Sequence, residues 1–417
     1  MAARRQCARP ISTISPRQAS APPSSTWRAP VSMSVSADRR ARAGDARTVR
    51  YCTRCLMPDT RPRVVFDGMG VCNACRTAEE KARIDWDTRR TEFHDYVARY
   101  RAKDGPYDCV VPWSGGKDSS YIAHRLKFEF GLNPLLVTFS PLLPNEIGAA
   151  NREAFVQLGF DHLMVRPDQK VSRRLARRFF IERGNPKVHW DAGINAIPVQ
   201  VAVKYRIPLI FYAEHGESEY GGRVLSEEHR KRRDLAEVLE HQIGDDPYNW
   251  MDEEIAERSL APYLYPDPAE VEAVGVNALY FGYFFRWNML ENWRYMQRVM
   301  PSFRTADGGR SDGTFTDFDS LDDRIDNLYY YLQYVKFGFG RATRDACRMI
   351  QNGQMTRAEG LDLLRRHDAE FPHTHFDASL DYLGLDATAF VETVDLHRNS
   401  EIWEFRGNQW QLRFPPA

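Results

Sequence analysis

Tyr107-Asp-Cys-Val-Val-Pro-Trp113 runs without a break into Ser114-Gly-Gly-Lys-Asp-Ser119, and after it the hydrophobic period changes. The first seven residues are a short apolar run of the kind that forms a buried strand. Beyond the loop, Tyr121, Ile122, Leu126 and Phe130 recur on one face of a helix, with Gly131 as its stop. Strand, Gly-rich loop and helix in that order form a phosphate-binding turn. Two glycines let the backbone approach an anion, and the amides opening the helix add positive potential. The Ser hydroxyls and Lys117 can bind phosphate oxygens, and Asp118 can hold Mg²⁺. The stretch is not GxxxxGK[ST], so γ-phosphate transfer of the kinase type is not expected.

The alternation continues outward from the loop. Residues 133–139 read as a strand, 151–158 as a helix, 161–165 as a strand, 170–183 as a helix and 207–212 as another strand. This order predicts an α/β fold, a parallel sheet with helices on both faces, and ligands at the strand C-termini. Glu214, His215 and Glu217 follow the last of these strands, where they could orient a substrate, hold metal, move a proton or be merely solvated. The polar stretch 77–103 reads as one or two amphipathic helices leading in. The expected organisation is an extension over 1–48, a zinc ribbon over 49–80, an ATP-binding α/β domain over 81–240 and a helical substrate or partner region over 241–417.

Four of the seven Cys fall within 24 residues, as Cys52-Thr-Arg-Cys55 and Cys72-Asn-Ala-Cys75. Two CxxC pairs at this spacing point to a closed structural zinc site, with two disulfides as the alternative. The chain has 57 basic and 57 acidic residues, which argues against a general nucleic-acid coat. That balance hides an asymmetry, because residues 1–50 carry ten Arg and two Asp. Arg-rich, Ser-rich and acid-poor, they are expected to be disordered, with a transit peptide or a mis-called start as alternatives. The longest apolar stretch, 276–285, is far below the ~18 residues of a membrane span. A cytoplasmic protein is expected, or an organellar one if the extension is a targeting segment.

Other groups are read as follows. Arg173, Arg174, Arg177 and Arg178 form a basic stripe, as does the run 230–233, and a solvated face is the default for both. Six Asp in 311–326 lack the spacing of a calcium loop and read as a polar lead-in to the helix ending at Tyr334. Lys336, Arg341 and Thr343 flank two glycines in a plausible phosphate cradle. Cys109 in a strand and Cys347 in a helix lie in no Gly-rich elbow, so a built-in glutaminase is not expected.

Ser114–Ser119 after a strand resembles the PP-loop of the ATP pyrophosphatases, a superfamily of adenine-nucleotide alpha-hydrolase-like fold. Together with the paired CxxC, Gly216-Glu-Ser-Glu-Tyr-Gly-Gly222 and Tyr334-Val-Lys-Phe-Gly-Phe-Gly-Arg-Ala-Thr343, the chain resembles the N-acetyl sugar amidotransferases of surface-polysaccharide and lipopolysaccharide synthesis. The Gly216 stretch is one residue shorter than the family pattern, and Glu214-His215 and the Arg-rich front depart from it. The resemblance implies adenylation of a nucleotide-linked acetamido sugar, at a carboxylate or acetamido oxygen. Ammonia from a separate glutaminase subunit then displaces AMP. It implies ATP binding by Ser114, Gly115, Gly116, Lys117, Asp118 and Ser119, with Asp118 on Mg²⁺ and with Lys117, Asp118 and Glu217 in catalysis. Glu214, His215, Tyr220, Lys336 and Arg341 would contact the sugar. Two other classes compete. A PP-loop sulfurtransferase acting on tRNA would want a catalytic Cys near the loop, where only Cys109 stands. A non-catalytic zinc scaffold would not need Lys117 and Asp118.

Overall fold

The computed structural model describes residues 48–417 except 102, 225, 235–237 and 239–242. The extension expected over 1–48 lies, apart from Thr48, outside the described residues. A five-stranded parallel sheet forms the centre: β1 (Cys109–Pro112), β2 (Pro134–Phe139), β3 (Asp161–Val165), β4 (Leu209–Tyr212) and β5 (Asn277–Tyr280), in the order β3-β2-β1-β4-β5. Every β2 residue is buried, as a strand covered on both faces requires. In register, Val110 lies beside Leu135 on one side and Ile210 on the other, and Ile210 beside Ala278.

Alternation along the strands feeds two cores. Cys109, Val111 and Trp113 face α2 (Trp86–Tyr100), α3 (Lys117–Phe128), α4 (Glu146–Val156) and α8 (Met289–Val299) in one cluster. Val110, Leu135 and Val137 face α5 (Gln169–Arg183) and α6 (Val188–Tyr205) in the other. The expected α/β class, with helices on both faces, is the architecture observed. In the sheet and its covering layers, β5, α6 and α8 are elements the sequence pattern does not mark. α6 is apolar nearly all round and buried, so it has no amphipathic stripe to read.

The chain leaves β1 toward β2 and β3, then returns to place β4 on the opposite side of β1. The order therefore reverses between β1 and β4, where the loops after two parallel strands diverge and open a crevice. Residues 114–119 and 213–222 are those two loops. The short helix α7 (Gly216–Tyr220) lies in the second.

The N-terminal Cys-rich segment and its helix α1 (Asn73–Lys81) pack against α10 (Arg341–Gln351) and α11 (Arg357–His367). α9 (Asp326–Phe337) packs against α10. The chain ends in a hairpin, β6 (Trp403–Arg406) and β7 (Gln409–Leu412). Its turn residues Gly407 and Asn408 both have positive φ, 59° and 65°, the combination of a type I′ turn. Trp403 donates its indole N–H to the Val335 carbonyl at 2.7 Å, fixing the hairpin on α9.

Gly193 sets how closely α6 approaches the sheet, since a Cβ there would stand 2.3 Å from the Phe139 ring. Ala normally gains about 1 kcal/mol over Gly in a helix, whereas overpacking a core costs about 1–3 kcal/mol. Gly193→Ala is therefore expected to lower the urea midpoint. A raised midpoint would mean that Phe139 gives way freely.

Candidate functional site

The loop after β1 is held by its own side chains. Ser114 Oγ accepts from the Gly116 amide at 3.1 Å, and Ser119 Oγ accepts from the Ser114 amide at 3.2 Å. Gly115 has φ +87°, and a Cβ there would lie 2.3 Å from the Arg152 side chain, so only glycine fits beneath that stem. Arg152 in turn donates to the Ser114 carbonyl at 3.0 Å. Asp118 opens α3 and accepts from Asn292 Nδ2 at 2.8 Å.

Lys117 is only 2% exposed. Its ammonium donates to Asp118 at 2.7 Å and also to Asp319, which comes from a segment 202 residues further on. Burial opposes its charge, but the two carboxylates more than offset this and hold it above the usual lysine range. Asp319 stays ionised for the complementary reason, with Lys117 overcoming the cost of its burial.

Across the crevice, Glu214 follows β4. Burial and the nearby Asp118 carboxylate push its pKa up. The Tyr220 hydroxyl donates to Glu214 Oε1 at 3.1 Å. Asp118 and Glu214 are thus two acidic groups whose proximity favours a cation between them, consistent with a divalent ion beside phosphates.

The Gly216–Gly222 stretch ties this loop to the Cys-rich segment. Gly221 has φ +83°, with Asn73 Oδ1 2.9 Å from where a Cβ would be, and Asn73 donates to the Gly222 carbonyl at 2.9 Å. Buried Glu219 lies between Lys81 of α1 and Arg348 of α10, paired with both. Glu217 turns away from the loop. It accepts from Arg63 at 2.7 Å and from the Arg223 amide at 2.9 Å.

The four cysteines of the Cys-rich segment are buried, and their Sγ atoms lie within 4.8 Å of one another. A tetrahedral zinc with Zn–S of about 2.3 Å requires S···S of about 3.8 Å. Cys52–Cys75 and Cys55–Cys72 stand at 3.9 and 3.7 Å. Amides of Cys55, Met57, Cys72 and Cys75 point at sulfur at 3.2–3.5 Å. The four are free thiols here rather than disulfides, and the donor set and its spacing fit zinc. Four thiolates close the coordination shell, so the site is structural.

Of the remaining expected residues, Arg341 is buried and donates to the Asp319 carbonyl at 2.6 Å. Lys336 donates to the Arg183 carbonyl at 2.7 Å. His215 Nδ1 lies 2.6 Å from Ser218 Oγ, and burial together with His229 lowers its pKa to about 4. The structure therefore gathers Ser114–Ser119, Glu214 and Tyr220. It carries Glu217 and Lys336 to a neighbouring cavity and His215 toward Tyr280.

The Asp-rich stretch departs from the expected polar lead-in, because it folds over the sheet. Asp323 accepts from the Leu142 and Leu143 amides at 3.0 Å, Lys187 pairs with Asp323 and Asp326, and Asp319 reaches Lys117. Phe318 stacks on Trp293 and covers the Lys117 ammonium. Asn292, Asp319, Arg152, Arg344 and Arg348 were not singled out from sequence. The Arg341, Arg344, Arg348 spacing, one face of a helix, was the available signal. The basic stripe of α5 is largely paired, Arg174 with Asp252 and Arg183 with Asp245, as a solvated face with acidic neighbours would be.

Two outcomes follow. The purified chain is expected to carry about one zinc per molecule by elemental analysis, and Cys72→Ser to lose the metal and lower Tm. Full zinc occupancy in that variant would contradict a four-thiolate site. Burial also drives the Asp191 carboxyl up to about 7, against the pull of Lys187. Its proton is bound more tightly folded than unfolded, so stability falls as pH rises from about 4 to 7 and is flat above. Asp191→Asn should therefore match the native chain near pH 4 and melt higher at pH 8; equal melting at both would refute the shift.

Residues 312–414 match the family model described as LPS biosynthesis protein WbpG-like, C-terminal domain. An 87-residue stretch is 29% identical to the uncharacterized protein MJ1599 of Methanocaldococcus jannaschii, covering 21% of this chain and 31% of that protein's length. A solved structure of a "predicted subunit of tRNA methyltransferase" from the same organism is similar at 18% identity, over 43% of this chain and 92% of that one, with a TM-score of 0.21. The matched LPS-biosynthesis segment includes Asp319 and Arg341, which close over the loop after β1.

Proposed function

We propose that this chain is a PP-loop ATP-dependent amidotransferase that modifies a nucleotide-linked acetamido sugar for lipopolysaccharide or surface-polysaccharide synthesis. One observation carries the reading. A Gly-rich loop and a Glu-bearing loop meet where the strand order reverses, beneath a segment with the LPS-biosynthesis family match.

In this reading the amides of residues 115–119 and the Ser114 and Ser119 hydroxyls bind the β- and γ-phosphates of ATP. Asp118 and Glu214 would hold Mg²⁺, which supplies charge neutralisation on the phosphates when bound. Lys117 exchanges Asp319 for a phosphate oxygen and stabilises the negative charge that grows as pyrophosphate leaves. The acceptor oxygen attacks the α-phosphorus, forming a P–O bond as the α–β bridge breaks. Ammonia then adds to the activated carbon, loses a proton and expels AMP. Tyr220, bonded to Glu214, orients the acceptor. Cys109 and Cys347 are both buried, which supports delivery of ammonia by a separate glutaminase rather than by a thiol of this catalytic region.

The test is product analysis with zinc-loaded protein, Mg-ATP, ammonium chloride and a panel of nucleotide-linked acetamido sugars and uronic acids. AMP and pyrophosphate are expected with one acceptor only. Asp118→Asn should lower the rate at least about a hundredfold while leaving the fold intact by circular dichroism. Lys117→Ala should abolish turnover but also destabilise, since it strands two half-buried carboxylates. ADP and phosphate as products would sink the reading. AMP release with tRNA and a sulfur donor, but with no sugar, would replace it by sulfur transfer.

A further inference from the structure

Beside the loop lies a cavity of about 350 Å³, within the range of small-ligand sites. Its charged walls come from Arg61 and Arg63 of the Cys-rich segment, Glu217 of the loop after β4, and Lys336 and Arg344 of α9 and α10, with Tyr220 and the end of α5 beside them. Four cations therefore face one carboxylate, and that carboxylate is already engaged by Arg63 at 2.7 Å.

The other three cations pair with no carboxylate among the described residues. Arg61 donates only to carbonyls, of Gly221 at 3.0 Å and Pro62 at 3.2 Å. Lys336 donates to the Arg183 carbonyl. The Arg344 guanidinium lies between two rings, 5.2 Å from the centroid of Tyr220 and 5.0 Å from that of Tyr330. Rings hold a guanidinium in place without neutralising it, leaving its donors for an oxyanion. Burial and the charge of Arg344 together lower Arg61 to about 10, the direction expected where like charges are gathered for an anion.

The cavity also adjoins the loop. Tyr220 forms part of its wall and bonds to Glu214, the carboxylate facing Asp118. Arg344 acts electrostatically on Asp319, the partner of Lys117. A ligand anchored on Arg344 would thus be one side chain away from the group that binds ATP.

We infer that this cavity holds the phosphate groups of the sugar acceptor, with Arg61, Lys336 and Arg344 as their ligands, so that the Cys-rich segment forms part of the acceptor site. This rests on the acceptor of the preceding section being a phosphate-bearing sugar. Guanidinium forks suit phosphate oxygens, and the three unpaired cations match the charge of a diphosphate.

The test is calorimetric binding to the zinc-loaded full chain, without catalysis, using UDP-N-acetylglucosamine, free N-acetylglucosamine and ATP. The phosphate-bearing sugar is expected to bind and the free sugar not to. Arg344→Gln and Arg61→Gln should each weaken binding about tenfold or more, with ATP affinity unchanged. Lys336→Met, at the cavity rim, carries the same expectation should Arg344→Gln fail to fold. Unchanged affinity in the folded variants overturns the assignment, as does no binding of the phosphate-bearing sugar, or competition between it and ATP that Asp118→Asn abolishes. Binding that depends on Arg61 and Arg344, with no AMP formed from any sugar, would support the cavity and refute the adenylation chemistry. The two readings therefore fail separately.

Discussion

Burying an ammonium beside the Gly-rich loop after β1 is the constraint around which this molecule is arranged. An unpaired charge at the Lys117 position would be prohibitively costly, and Asp118 alone leaves the far side of the ammonium uncompensated. The second partner, Asp319, comes from a segment far along the chain and brings with it the Phe318 ring against the ammonium. Arg341 then holds that segment by its carbonyl. The loop cannot be completed without the C-terminal region, so the region that carries the LPS-biosynthesis family match also encloses Lys117.

A second buried pairing does the same for the Cys-rich segment. Glu219 is fully enclosed, yet burial is outweighed by Arg348 and Lys81, which keep it ionised. Removing either cation would leave the buried Glu219 compensated by the other alone and weaken the clamp. Gly221 and Gly222 have a clear purpose in this setting, since any side chain at Gly221 would push Asn73 away and loosen α1 from the loop. A Cys-rich segment clamped this tightly to the loop after β4 is more than a handle for partners. Its Arg61 and Arg63 are delivered to a cavity wall by the same contacts.

How much of this was legible follows from which interactions are local. β1 to β4 and the helices α3, α4 and α5 between them could be read because alternation and helical period are properties of consecutive residues. The loop was legible for the same reason, and so was the four-cysteine site. α6 escaped because an apolar helix buried on all sides has no moment, and β5 because four residues leading into an aromatic helix show no alternation. The hairpin at Gly407-Asn408 carries its only local signal in the turn, where both residues take positive φ. The pairing of Lys117 with Asp319 could not be read at all. An Asp-rich run looks solvated until the fold supplies Lys117, Lys187 and the Leu142 and Leu143 amides to receive it.

The distribution of charge around the crevice argues for a division of labour. Asp118, Glu214 and Asp319 gather on the loop side, where Lys117 is the enclosed cation between them. Arg61, Lys336 and Arg344 gather on the cavity side, where Glu217 is already engaged. Two anionic reactants brought together would repel each other. In the proposed reaction one would meet loop amides and carboxylates suited to a divalent ion, and the other would meet guanidinium groups. Tyr220 stands at the boundary, bonded to Glu214 and packed on Arg344, so its neutral phenol separates opposite fields while touching both. Burial and Glu214 together hold that phenol protonated, which keeps the boundary uncharged at any pH the protein meets.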